Sequence, residues 1–409
     1  MSSEWPLRSL GELTVNHDGK RRPVKEPDRK AGPYPYYGAS GVVDHVDGFL
    51  FDGEYLLIGE DGENMRTRQT PIAFMAKGKF WVNNHAHIVT GNHLADTRYL
   101  MYAVSNADIH SYLTGAVMPK LTQGNLNKIQ LPCPPVTIQR EIVGVLGTLD
   151  DRITLLRETN ATLEGIAQAL FKSWFVDFDP VRAKTEGRLP DGMDEATAAL
   201  FPDSFDETEV GLVPKGWKVQ RVGDVLEARN ERVNNLVVSE YSSTNNGLEP
   251  RDARFKKQLS ASTSKNKVIR HGDLVFGLSR AVLNFGQMND EIGSVSSAYK
   301  VFKVDETQIN PQLLGRLIST RKEYFFNAVS ASSREGQSIS TDSLGYLKFV
   351  QPPKGVQKML AETMQPLVGR IELILKKIDT LCILRDILLP RLISGQLRIP
   401  EALEDLEAA

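Results

Sequence analysis

Two stretches of equal length decide the fold: QREIVGVLGTLDDRITLLRETNATLEGIAQALFKSW at residues 139–174 and QKMLAETMQPLVGRIELILKKIDTLCILRDILLPRL at residues 357–392. In the first, Ile142, Leu146, Leu149, Ile153, Leu156, Asn160, Leu163, Ala167, Leu170 and Trp174 recur at alternating spacings of four and three. Adding 218 to each number lands on Leu360, Met364, Leu367, Ile371, Ile374, Ile378, Leu381, Arg385, Leu388 and Leu392. A heptad seam sustained twice in one register predicts two long helices packed as an antiparallel coiled coil. Its central contacts are expected from Leu149, Ile153, Leu156, Asn160 and Leu163 against Leu367, Ile371, Ile374, Ile378 and Leu381. Helices of about 38 residues would reach about 57 Å at 1.5 Å per residue. Asn160, a lone polar residue in the seam, is expected to fix register at some cost in stability. Pro366 lacks a backbone donor and is expected to kink the second helix or delay its start.

The shared register extends upstream. Leu121, Leu126 and Ile129 fall on Ile339, Leu344 and Leu347; Pro134–Pro135 fall on Pro352–Pro353, and Gln139 falls on Gln357. WPLRSLGEL from Trp5 and WKVQRVGDV from Trp217 open the two halves at a shift of 212, and unequal loops absorb the difference. A period this long indicates a duplicated domain and not a solenoid. In each half, short β-patterned runs broken by Gly, Asn and Asp precede the Pro-Pro pair and the long helix. The reading is therefore α+β. Two similar mixed α/β domains, 1–135 and 213–352, are separated by helical regions 136–176 and 353–398 and related by a pseudo-two-fold repeat. A linker at 177–212 and an acidic tail at 399–409 complete the chain.

At 409 residues the chain exceeds one ordinary core, and 41% hydrophobic with 24% charged residues excludes a disordered or fibrous protein. Cys133 and Cys382 cannot build a disulfide framework, and no apolar run approaches a membrane span. The N-terminus has no secretory pattern, so a cytoplasmic setting is expected. The net charge of −2 conceals two basic islands. Between Lys20 and Lys30 six basic residues meet two acidic ones, and between Arg251 and His271 seven meet one. The stretch 177–209 is acidic, ten carboxylates against three bases, and is expected to be a loosely packed connection. Two basic islands suggest two surfaces that face a polyanion.

Enzyme signatures are missing: there is no phosphate loop, no GxSxG and no HExxH. Asn-Asn-His-Ala-His at 83–87 places His85 and His87 at i and i+2, one face of a strand, and leaves a metal-dependent enzyme as an alternative. The remaining polar loops offer groups that position a duplex through phosphates and read base edges. The candidate DNA contacts in the first half are Tyr36, Ser40, Glu60, Asp61, Asn64, Arg66, Asn84, His85, His87, Lys120 and Gln123. In the second they are Lys256, Lys257, Lys265, Ser279, Arg280, Arg334 and Gln337. A scaffold that recruits partners without reading DNA is a third reading.

FDGEYLLIGEDGEN from Phe51, NNHAH from Asn83, PKLTQGNLNKIQLPCPP from Pro119, LFKSWFVDFDPVRAK from Leu170 and LLPRLISGQLRI from Leu388 together resemble the specificity subunit of a type I restriction–modification enzyme. The resemblance covers essentially the whole chain and implies two target-recognition domains alternating with two helical regions. It implies a non-catalytic reader of a bipartite target in double-stranded DNA, with two methyltransferase subunits docked on the helices and two restriction–motor subunits completing the complex. S-adenosylmethionine, ATP and Mg would belong to those partners. Trp174 and Phe175 match a family hallmark and are candidates for the methyltransferase contact or, equally, for capping the intramolecular coiled coil. The second domain departs from the pattern, with SSREGQSIS where PKLTQGN stands earlier.

Overall fold

The computed structural model describes residues 4–115, 117–244, 247–251, 263–277, 284–326, 329–330, 338–339 and 341–399. Four helices organise them: α1 (Thr97–Asn106), α2 (Val136–Lys172), α3 (Pro311–Thr320) and α4 (Lys354–Ser394). The chain divides into two compact units, one of residues up to Glu158 with those from Ile374 onward, the other Thr159–Leu373. Both boundaries fall inside a long helix, so each unit holds part of α2 and part of α4.

In the first unit, strands β1 (Leu7–Ser9), β2 (Thr14–Asn16), β3 (Ala31–Gly38), β4 (Gly41–Val46), β5 (Phe51–Gly59), β6 (Ala73–Val82), β7 (Ala86–Gly91) and β8 (Gln130–Pro132) carry the domain. Six form one sheet in the order β2-β7-β5-β6-β3-β4. The strand period of two sends alternate residues to opposite faces. Leu56, Ile58 and Val89 join a core with Leu10, Tyr99, Leu100 and Leu126; Leu57 and Ile88 join a second core with Phe51 and Phe80. Gly53 and Gly78 lie opposite each other in the β5–β6 ribbon, both at positive φ, +133° and +71°. Glycine alone adopts such angles without strain. Four residues after Val82 ends β6, Ala86 pairs with Gly59 at the end of β5.

In the second unit the main sheet runs β10 (Leu226–Ala228), β13 (Lys300–Val304), β11 (Leu274–Phe276), β12 (Phe285–Gln287) in spatial order. The duplication shows in how each domain closes. β1 pairs antiparallel with β8, and β9 (Lys218–Arg221) pairs antiparallel with β14 (Lys348–Gln351), in each case the first strand with the last before the Pro-Pro pair. Asp96 caps α1 by accepting from Arg98 and Tyr99 N–H, and Asn310 caps α3 by accepting from Gln312 and Leu313 N–H. Gln139 and Gln357, both buried, each accept the backbone N–H of that cap residue and donate to nearby carbonyls.

The long helices have 37 and 41 residues. In the first unit the end of α4 meets the start of the domain, where Glu4 N–H donates to Ser394, and Arg385 pairs with Asp150 at 3.0 Å. Pro6 meanwhile accepts from Cys133 N–H just before α2 begins, so the two segments run antiparallel. In the second unit Asn160 donates to the Ile371 carbonyl at 3.4 Å, and Ala167 and Phe171 share a core with Val356, Leu360 and Met364. Leu149, Ile153, Leu156, Asn160, Ile374 and Ile378 are buried, and Leu163, Leu367, Ile371 and Leu381 are half-buried.

Three expectations are corrected. Pro366 neither delays nor interrupts α4, which is one helix from Lys354; the proline is exposed, so water can serve the carbonyl its ring leaves without a donor. The acidic stretch is packed and not loose. It forms two short helices (Asp179–Thr185 and Glu195–Ala199) and a hairpin (Phe205–Thr208 with Gly211–Pro214), and it buries Val181, Met193, Ala198 and Phe201. Its carboxylates face solvent while its apolar minority enters the core. Trp174 and Phe175 are core residues, 7% and 3% exposed, with ring centroids 6.1 Å from Phe201 and 5.9 Å from Trp217 respectively. An indole and a phenyl ring enclosed this way do not offer a docking surface to another subunit. The acidic tail from 400 on lies outside the described residues.

Candidate nucleic-acid interface

The loops singled out in the first half converge. Glu60 and Asp61 follow β5, Asn83–His85 form the turn before β7, and Thr114 and Lys120 exchange reciprocal backbone hydrogen bonds. Backbone bonds tie them together: Glu60 N–H to the His85 carbonyl, Leu121 N–H to Glu60, and Gly62 N–H to Pro119. The Tyr36–Ser40 turn joins through Asn83 N–H, which donates to Tyr37. Gly59 must be small here, because a Cβ would stand 3.0 Å from the Ala39 carbonyl.

Beneath this rim lies a network of charges. His87, 1% exposed, places Nδ1 2.6 Å from Asp18 and Nε2 2.8 Å from the Leu121 carbonyl. Burial alone would push the Asp18 carboxyl up, but hydrogen bonds from His87 and the Ile88 N–H, with the Arg21 charge, hold it below the usual carboxylate range. Glu60 follows the same balance: burial opposes ionisation, and Arg21 at 2.8 Å and Lys120 at 3.1 Å outweigh it. Asp61 receives His85 at 2.9 Å. Glu60 and Asp61 therefore hold the loops together by pairing with basic side chains of the chain itself.

The sequence-predicted residues separate accordingly. Ser40, Asn84, His85, Lys120, Gln123 and Arg66 are exposed on the rim, and Asp61 is half-buried. Asn64 closes its own loop, exchanging hydrogen bonds with Thr70 at 2.9 and 3.0 Å. Tyr36 is corrected from a base contact to a core residue: it is fully buried, its hydroxyl accepts from Val24 N–H, and Arg29 lies over its ring. His87 and Glu60 are likewise supports beneath the surface. The metal reading also falls: His85 lies in the turn before β7 and pairs with Asp61, whereas His87 turns inward to Asp18. Among the described residues no group of three His, Cys, Asp or Glu is placed to hold an ion. In the second half Lys265 is exposed in a turn at Thr263–Lys265 whose last carbonyl accepts from Arg232. Lys256, Lys257, Ser279, Arg280, Arg334 and Gln337 lie outside the described residues.

Sequence reasoning missed Asp18 and Arg21. The basic island pointed to Arg21 only as a free charge; in the fold it crosses to Glu60 and to the Ala86 carbonyl. No spacing signals a partner 39 or 65 positions away. No helix of the described residues is long and apolar enough to cross a membrane.

Comparison with known proteins agrees with this architecture. Residues 2–165 match the family model described as type I restriction modification DNA specificity domain. The MjaIX specificity subunit of Methanocaldococcus jannaschii is 25% identical across 97% of this chain and 94% of its own length. The HindI specificity subunit of Haemophilus influenzae is 36% identical over 155 residues, 36% of this chain and 30% of that protein. The crystal structure of the S subunit of a type I restriction–modification system from M. genitalium shares the fold, with a TM-score of 0.56 at 12% identity over 96% of both chains. Residues 2–165 thus match a type I restriction modification DNA specificity domain, and over nearly its whole length the chain is similar to type I restriction enzyme specificity subunits.

Proposed function

We propose that the chain is the non-catalytic DNA reader of a type I restriction–modification complex, each domain contacting one half of a bipartite site in double-stranded DNA. One observation carries this reading. The domain frame is built twice with the same closing strand pair and the same glutamine-held helix cap, while the polar loop sequences differ between the halves. A repeated frame with divergent loops suits two readers of different sequences, which a true homodimer could not supply. Half-sites about one helical turn apart, on the order of 10 bp, would lie on one face of the duplex.

In the first domain, Lys120 and Arg66 would meet phosphates, and Ser40, Asn84, His85 and Gln123 have the hydrogen-bonding groups that read base edges. Methyltransferase subunits would dock on the helical regions and restriction–motor subunits would join them. S-adenosylmethionine, ATP and Mg would be bound by those partners. The test is to map methylated positions in the host genome with and without this gene. Loss of one split motif on deletion supports the reading; an unchanged methylation pattern overturns it.

A further inference from the structure

The internal repeat exposes a place where the two units differ. In the first unit, Tyr102 on α1 donates its hydroxyl to Asp150 on α2 at 2.6 Å, and Arg385 on α4 donates to the other oxygen of the same carboxylate at 3.0 Å. One carboxylate thus ties the domain helix to both long helices. Matching the caps Asp96 and Asn310 places Tyr102 on Arg316, and the 218-residue shift places Asp150 on Val368 and Arg385 on Ala167. In the second unit the carboxylate has become a valine and its guanidinium partner an alanine.

These three replacements line one cleft of about 500 Å³, with Gln168, Gln287 and Glu164 also on its walls. Arg316 is half-buried there, and no hydrogen bond or ion pair reaches its guanidinium among the described residues. Burial disfavours its charge, and Glu164 is near enough to offset this only in part. A half-buried guanidinium facing such a cleft can bind a carboxylate through paired, charge-assisted hydrogen bonds.

We propose that this cleft is a binding site for a small free carboxylate, which pairs with Arg316 and takes the place that Asp150 fills in the first unit. Binding joins α3 to the long helices through the ligand, so the second joint is tightened by a solute where the first is tightened by the chain. A macromolecule that docks alike on both repeats would meet a closed triad on one and an open cleft on the other. The difference favours a ligand small enough to enter a single cleft.

Thermal unfolding of the full chain in sodium succinate, against sodium chloride of equal ionic strength, tests this. The wild-type midpoint should rise saturably by about 3 °C. Arg316→Gln should remove the response. Val368→Asp, which restores a carboxylate to the chain, should melt above the wild type in chloride and respond no further to succinate. Four results overturn the proposal: no saturable shift in the wild type, an equal shift in Arg316→Gln, a Val368→Asp midpoint below the wild type, or a shift that duplex DNA produces and succinate does not.

Discussion

The side-chain carbonyl of Gln139 accepts the backbone N–H of Asp96 at 2.8 Å, locking the first turn of α2 to the cap of α1. Its amide donates to the carbonyls of Leu94 and Pro134 at 2.9 and 2.8 Å, so one buried side chain satisfies three backbone groups. Gln357 repeats the device with Asn310 N–H at 3.1 Å and the Pro352 carbonyl at 2.9 Å. Replacing Gln139 by Leu leaves those groups buried and unpaired, and should cost about 2–3 kcal/mol in urea unfolding. A loss below ~0.5 kcal/mol, the scale of an ordinary surface change, would contradict this account.

Asn160 should behave in the opposite sense. Its amide makes one long hydrogen bond to Ile371, and its buried Oδ1 has no partner among the described residues. Asn160→Leu removes a desolvated oxygen and adds apolar contact, so stability should rise by about 1 kcal/mol. Register is the quantity at risk, because a uniformly apolar seam slips more readily. Cross-linking of a cysteine pair placed on the facing helices before and after the change would detect slippage.

Acid should find Asp18 early. Its folded carboxyl lies below the ordinary range, so its pairing contributes stability that is complete above the unfolded value and is lost as pH falls through the folded one. Wild-type urea midpoints should therefore fall steeply below about pH 4. In Asp18→Asn that part of the slope should disappear, with a lower midpoint at neutral pH, because His87 and Arg21 lose their partner.

Lys120 carries the electrostatic prediction. Its ammonium is half exposed and pairs with Glu60. In the assembled complex, Lys120→Ala should weaken binding to all sequences alike and reduce the slope of log affinity against log salt by about 0.9 for one lost phosphate contact. Gln123→Ala should leave the slope unchanged and relax discrimination at one base. If the Lys120 variant changes which bases are methylated, the assignment of roles is reversed.

Exchanging residues 217–350 for another recognition domain should alter one half-site and preserve the other. Inserting one seven-residue helical repeat into the seam of α2 should change the spacer and preserve both sets of bases. Methylation mapping reads each outcome directly; recognised bases that change while the spacing stays fixed would dismiss the helices as a ruler.

How much was legible in advance follows from the range of each interaction. The heptad seam, the 218-residue repeat and the Pro-Pro boundaries are written in local periodicity, and burial of one apolar stripe suffices to realise them. Trp174 and Phe175 show the limit of that reading. Their place at the end of a seam was visible, but whether they faced a partner or a core depended on Phe201, which returns from the acidic stretch, and Trp217, which opens the second domain.

The amino-acid order alone determined the duplication, the helix pair and the set of polar loops, since each is a pattern among near neighbours or copies. Tertiary structure decided which loop residues remain free to touch a ligand. Asp18, Arg21, Glu60 and His87 pair with one another across separations of up to 69 positions. A buried charge stays charged only beside its counter-charge, and which cation reaches which carboxylate is settled where the strands converge.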